Sequence, residues 1–112
     1  MKKIEAIIRP ERLDLVRHAL DEIASPGLMI TEIEGQGKQK GITRQWRGKE
    51  YKVEFLPKIK IEIIVKDKDV GCITKAIIEA AYTGSIGDGK IFVYPVENAI
   101  RIRTREEGES AI

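Results

Sequence analysis

The sequence predicts an α+β sandwich of order β-α-β-β-α-β, with a long loop between its two halves. Three observations carry this. The first is an internal echo: Lys3-Ile4-Glu5-Ala6-Ile7-Ile8-Arg9 aligns with Lys60-Ile61-Glu62-Ile63-Ile64-Val65-Lys66. The register then continues, matching Leu13 with Val70, Val16 with Ile73, Ala19 with Ala76 and Leu20 with Ile77. The second is composition: aromatics are only 5% while isoleucine is abundant. Such a core is aliphatic and β-branched, which favours strands. The third is the stretch Gly35–Leu56, which has too few apolar residues to pack.

Each element follows in order. A strand pattern opens the chain at Lys3–Ile8, and Pro10 begins the first helix, where a missing N–H costs least. Leu13, Val16, Leu20 and Ile23 recur at three- and four-residue steps and make one apolar stripe. Pro26-Gly27 stops that helix, and Leu28–Glu34 is the next strand. After the long loop the pattern repeats. Lys58–Lys66 is a strand, and Val70, Ile73, Ile77 and Ala80–Ala81 form the helical stripe, with Asp67 or Asp69 as its cap. Ile91–Val96 is the last full strand, Ile100–Thr104 adds a short C-terminal one, and Arg105–Ile112 reads as a mobile tail. Two duplicated β-α-β units of this kind describe a ferredoxin-like sandwich. Right-handed crossovers put both helices on one face of an antiparallel sheet.

The bulk numbers exclude several functions. A chain of 112 residues suits one domain, 1–112, with a modest core. Its +2 formal charge is too small for a general nucleic-acid binder. An RNA-recognition motif shares the element order but stacks bases on aromatic residues of its central strands. Lys3–Ile8 and Lys58–Lys66 contain none. Cys72 is the lone cysteine and His18 the lone histidine, so an intrachain disulfide and a zinc site are both out. His18 sits inside an ordinary helical pattern, which does not suit a Ser–His–Asp triad. With no signal-peptide pattern and no long apolar run, a cytoplasmic protein that is not membrane-embedded is expected.

Two segments remain for function. The long loop carries Gly35, Gly37, Gly41 and Gly48 among Lys38, Lys40, Arg44, Arg47 and Lys49. Loops much beyond about 15 residues in a compact domain are usually functional or disordered. A partner- or ligand-binding loop is one reading, and an extended hairpin with a solvated tip is the other. The second segment is Thr83-Gly84-Ser85-Ile86-Gly87-Asp88-Gly89-Lys90. Its spacing mimics a P-loop, but Ile91 stands where Ser or Thr should hold magnesium, and a strand follows instead of a helix. Glycines still let backbone N–H groups approach an anion, and Lys90 adds a cation, although a plain helix-to-strand turn has the same composition. Alternation in Ile100-Arg101-Ile102-Arg103 predicts both guanidinium groups on one strand face, suited to phosphate oxygens. Whether these segments meet within one chain or across subunits stays open.

The stretch Thr83–Val93 resembles the C-terminal signature of the PII family of nitrogen-regulatory signal proteins. Arg101-Ile102-Arg103-Thr104 is similar to the strand that follows it there, and Lys38-Gln39-Lys40-Gly41 to the base of the family's T-loop. Leu56-Pro57-Lys58 with Lys60-Ile61-Glu62 looks like the stretch re-entering the sheet, so the resemblance runs from about Met1 to Ile112. It implies a non-enzymatic sensor: a homotrimer with ATP or ADP in the clefts between subunits, a T-loop at about 37–55, a phosphate-binding loop at about 82–90 and a C-terminal loop at about 101–112. By position, Gly87, Asp88, Gly89 and Lys90 would cradle phosphates, and Arg101 and Arg103 would complete the site across the cleft. Met29, Gly37, Lys38, Gln39, Ile64 and Ile102 would line the nucleotide pocket. Gln39 would reach Mg²⁺, and the 37–41 backbone, with Gln39, Lys40, Gly41 and Lys58, would hold 2-oxoglutarate.

The resemblance also implies partners: an ammonium channel, glutamine synthetase or nitrogenase-related targets. Arg47 matches the position that enters the ammonium pore, and Tyr51 the position that many bacterial members uridylylate. The surrounding Trp46-Arg47-Gly48-Lys49-Glu50-Tyr51 departs from their pattern, and Lys49 replaces a serine phosphorylated in some members. Met29 stands where a threonine often touches adenine, and Arg105 where glycine is usual. The rival from another class is an ATP-dependent transferase on the same scaffold. It would need an acid–base residue near the phosphates, where Asp88 is the only candidate close in sequence.

Overall fold

Ile59, Ile61, Ile63 and Val65 alternate with Lys60, Glu62 and Ile64, and a strand sends such alternating residues to opposite faces. In the computed structural model the first set is buried and the second half-buried, so one face of this strand is core and the other is not. The structure describes all residues except 24, 36–42, 47–48 and 53–54, with the backbone alone at 43–46 and 49–52.

The elements are β1 (Lys2–Ile8), α1 (Leu13–Glu22), β2 (Leu28–Gly35), β3 (Thr43–Trp46), β4 (Lys49–Lys52), β5 (Leu56–Val65), α2 (Val70–Ala81) and β6 (Lys90–Pro95). The main sheet has the order β2-β5-β1-β6, and all of its pairings are antiparallel. β3 and β4 form a separate two-stranded ribbon, with Thr43 opposite Lys52 and Trp46 opposite Lys49. This is the ferredoxin-like order, with a ribbon standing in the connection between its halves.

The duplication is visible in detail. Each half enters its helix through one 3₁₀ turn, Pro10–Arg12 in the first and Asp67–Asp69 in the second. Leu13 and Val70, matched in the sequence echo, are both first helical residues. Val16 and Leu20 of α1, with Ile73, Ile77 and Ala81 of α2, pack on Ile4, Ala6 and Ile8 of β1 and on the buried face of β5. One core therefore lies between the two helices and one sheet face. Burying a side chain such as Ile61 or Leu20 contributes about 1.5–3 kcal/mol.

The opposite sheet face carries charge. Glu5 and Glu62 stand directly across from each other on β1 and β5, a like-charge pairing that is unfavourable alone. Lys60 lies between them, 4.0 Å from Glu5 and 3.7 Å from Glu62, and Lys3 is 3.4 Å from Glu62. The Tyr94 hydroxyl donates to Glu5 at 2.8 Å, while the Lys3 ammonium sits 4.7 Å from the Tyr94 ring centre. The Glu5 carboxylate holds the Tyr94 phenol above its ordinary pKa.

Three expectations need correction. α1 ends at Glu22, with Ile23 as its cap, so the chain leaves the helix ahead of Pro26-Gly27; the Ser25 N–H returns to the Leu20 carbonyl at 3.1 Å. Neither Asp67 nor Asp69 caps α2 through its side chain. Asp67 is instead 2.9 Å from the Met1 ammonium, because pairing of Lys2 with Val65 brings the N-terminus beside it. The short strand at Ile100–Thr104 is replaced by a single bridge, Ile100 to Glu107, and a turn. The segment folds back on itself there: the Arg101 N–H bonds to the Glu106 carbonyl, and the Arg105 N–H to the Arg101 carbonyl. Arg105 turns the chain at a φ of 64°, and Gly108 does so at 73°.

Candidate phosphate-binding site

α2 ends at Ala81 and β6 begins at Lys90, so the glycine segment must reverse direction within a few residues. Gly84, Gly87 and Gly89 have φ of 89°, 106° and 102°, the left-handed half of conformational space that favours glycine. At Gly89 an added Cβ would overlap the Ile7 carbonyl oxygen, so the turn lies directly on the end of β1.

The Asp88 carboxylate organises the turn from inside. It accepts the N–H of Thr83 at 2.8 Å, the N–H of Gly84 at 2.9 Å and the Thr83 hydroxyl. Arg9, just past β1, donates Nε to the same carboxylate at 3.1 Å and a terminal guanidinium nitrogen to the Ile86 carbonyl at 2.8 Å. The Thr83 hydroxyl and backbone, the Gly84 N–H and Arg9 together hold the Asp88 carboxyl well below the usual carboxylate range. Lys58, on β5, donates to the Gly87 carbonyl at 2.8 Å. Its ammonium pKa is lowered, first by burial and then by the neighbouring Arg9.

These contacts dictate where the free edges of the loop face. All of the described peptide bonds are trans, and a trans peptide sets its C=O and N–H in opposite directions. The Ile86 carbonyl is turned to Arg9, so the Gly87 N–H faces away from Arg9. The Gly87 carbonyl is turned to Lys58, so the Asp88 N–H faces away from Lys58. Successive N–H groups presented in this way make an anion-binding concavity. Lys90, exposed and paired across the sheet with Ile7, adds a charge at its end. A cavity of about 400 Å³ lies beside it, with an apolar floor of Ile7, Ile77, Ala81 and Ile91.

Of the residues singled out in the sequence, the fold brings Gly87, Asp88, Gly89, Lys90 and Lys58 together. The Asp88 carboxylate faces into the turn, and its N–H is the group left to meet an anion. Arg101 pairs with Glu106 at 3.5 Å, and Ile102 is 95% exposed, so both engage their own loop or solvent. Arg103 is also exposed. Met29, 56% exposed, sits on edge strand β2, whereas Lys90 opens the other edge strand, β6. With two strands between them, those edges are about 14 Å apart. Ile64 is half-buried on the charged sheet face, opposite Lys3. Gly37, Lys38, Gln39, Lys40, Gly41 and Arg47 lie outside the described residues, and of Tyr51 only the backbone, paired with Arg44, is described. Sequence reasoning missed Arg9. Its only signal was a cation ending a strand, matched by Lys66 in the second half, and nothing local connects it to Asp88.

Known proteins are similar to this chain over its length. The family pattern for nitrogen regulatory protein P-II matches residues 1–106. Nitrogen regulatory protein P-II of Haemophilus influenzae is 60% identical over 112 residues, covering all of both chains. Nitrogen regulatory protein P-II 1 of Escherichia coli K12 is 56% identical over the same full lengths. Nitrogen regulatory protein P-II 2 of Methanothermobacter thermautotrophicus is 49% identical over 112 residues, covering all of this chain and 97% of that relative.

Proposed function

Since this chain belongs to the nitrogen regulatory protein P-II family, with a role in nitrogen-regulation signalling, we propose that it senses ATP or ADP and, with Mg-ATP, 2-oxoglutarate. It acts by binding partner proteins, not by catalysis. The observation that carries this is the glycine turn whose Gly87 and Asp88 N–H groups face away from Arg9 and Lys58, beside Lys90. That arrangement suits phosphate oxygens. The working assembly is a homotrimer, in which Arg101, paired with Glu106 on its own loop, the exposed Arg103, and Met29 on the far edge strand would serve a neighbour's glycine turn.

Lys58 is the residue that joins two ligands. Its ammonium already touches the phosphate turn through Gly87, and it sits where β5 leaves the long loop. A dicarboxylate taken by Lys58, with Mg²⁺ held by Gln39 and nucleotide phosphate, couples metabolite and nucleotide at the root of the T-loop. The T-loop then selects the partner: an ammonium channel through Arg47, glutamine synthetase, or a nitrogenase-related protein. Tyr51 is the candidate modification site. Among the described residues no helix is long and apolar enough to cross a membrane, so association with a channel would run through this loop.

Calorimetric titration of 2-oxoglutarate with Mg-ATP, with Mg-ADP and with no nucleotide tests the reading. Tight binding is expected only with Mg-ATP. Coupling of about 1–3 kcal/mol corresponds to roughly 5- to 150-fold and must be returned as tighter ATP binding. Equal 2-oxoglutarate affinity in all three titrations would show that the sites are not coupled. The transferase alternative predicts sustained ATP turnover with an acceptor, using Asp88 as its base. The inward-facing, strongly acidic Asp88 carboxylate disfavours it, since a base must reach its substrate's proton.

A further inference from the structure

We infer that Arg9 is the positioning residue of the nucleotide-phosphate loop, an inference that rests on the ATP/ADP reading above. Arg9 lies 77 residues from Ile86 and 79 from Asp88 in sequence, yet it donates to both. Its side chain is 14% exposed, with Asp88 as its counter-ion. Its charge is therefore already answered, and it is poorly placed to act as a phosphate's own counter-charge; Lys90 is the exposed cation for that. What Arg9 controls is direction. By drawing the Ile86 carbonyl inward it turns the Gly87 N–H away from itself, and by holding the Asp88 carboxylate it keeps the Thr83 and Gly84 N–H groups engaged on the inner side. The turn is thereby sorted into an inner set of amides bound to Asp88 and an outer pair left for an anion.

A lysine at this position cannot do the same. The two bonds leave from different nitrogens of a planar fork, whereas an ammonium is one point. Without that fork the Ile86 carbonyl would be free to flip, since glycine at 87 permits both peptide orientations with little penalty, whereas the Gly87 carbonyl would still be held by Lys58.

The test is a phosphate ladder. Affinities of ATP, ADP, AMP and adenosine are measured for the wild-type protein, Arg9→Ala and Arg9→Lys, beside the thermal midpoint of each without ligand. Positioning predicts that both variants lose about tenfold or more for ATP and ADP, the scale of a lost charge-assisted hydrogen bond, while adenosine affinity stays within about twofold. A purely structural role would instead lower all four affinities in step with the midpoint. An ATP-to-adenosine ratio equal to wild type in either folded variant overturns the inference and leaves the ATP/ADP reading intact. A wild-type protein that binds none of the four overturns both. Should Arg9→Ala not fold, Arg9→Lys alone is read against the same ratio.

Discussion

Gly89 shows how little freedom a single residue has here. Its φ of 102° and the overlap of any Cβ with the Ile7 carbonyl oxygen mean that Gly89→Ala must push β6 off β1 or distort the turn. The expected cost is about 2–4 kcal/mol in urea denaturation, with ATP binding lost even where the chain still folds. Gly71, with nothing within 4 Å of an added Cβ, is the matching control, and Gly71→Ala should be neutral or stabilising. Asp88 makes the second prediction at this scale. Its folded pKa is depressed by Thr83, Gly84 and Arg9, so its contribution is fully present above its unfolded value of about 4. That contribution is lost as pH falls below this value. Asp88→Asn should therefore destabilise clearly at pH 7 and progressively less as pH falls from about 5 toward 2, which chemical denaturation across that range will show. A constant difference at all pH values would mean that shape, not charge, is what Asp88 supplies.

At the scale of elements, strands and helices with a core face were legible in the sequence, because period and duplication are local signals. The stripes Val16/Leu20 and Ile73/Ile77, and the alternation of β5, all became core. Elements defined by distant partners were not. Arg101 and Arg103 alternate as a strand would, but a strand needs a neighbour, and Arg105 closes a turn before one is reached. Asp67 looked like a cap until sheet pairing delivered the Met1 ammonium to it. The site was legible in part for the same reason: Gly87–Lys90 is contiguous, whereas its tie to Arg9 exists only after β1 and β6 have paired. The charged sheet face gives the prediction proper to this scale. Lys60→Ala leaves Glu5 and Glu62 facing each other with less compensation, and about 1 kcal/mol of stability should be lost. These groups are partly exposed, so the loss should shrink in about 1 M salt, where screening acts over about 3 Å. A loss that is indifferent to salt would point to packing of the lysine stem instead.

For the whole molecule, the sheet order has a consequence that can be read by mixing subunits. The glycine turn opens one edge strand, β6, while Met29 lies on the opposite edge strand and Arg101 and Arg103 lie on a loop engaged with itself. If the site is shared between neighbours in a ring, damage to its two halves is not equivalent within one subunit. Take one chain carrying Lys90→Ala and another carrying Arg101→Ala with Arg103→Ala. Each alone should form trimers that bind no ATP. Going round any mixed ring of three, only one junction sets an intact turn against intact arginines, whichever variant is in the majority. Mixed trimers should therefore regain a single nucleotide site, and never more than one. Titration of co-refolded, tag-purified mixed trimers should saturate at one ATP per three chains. A pair of defects that fails to complement would place both halves of the site on the same chain.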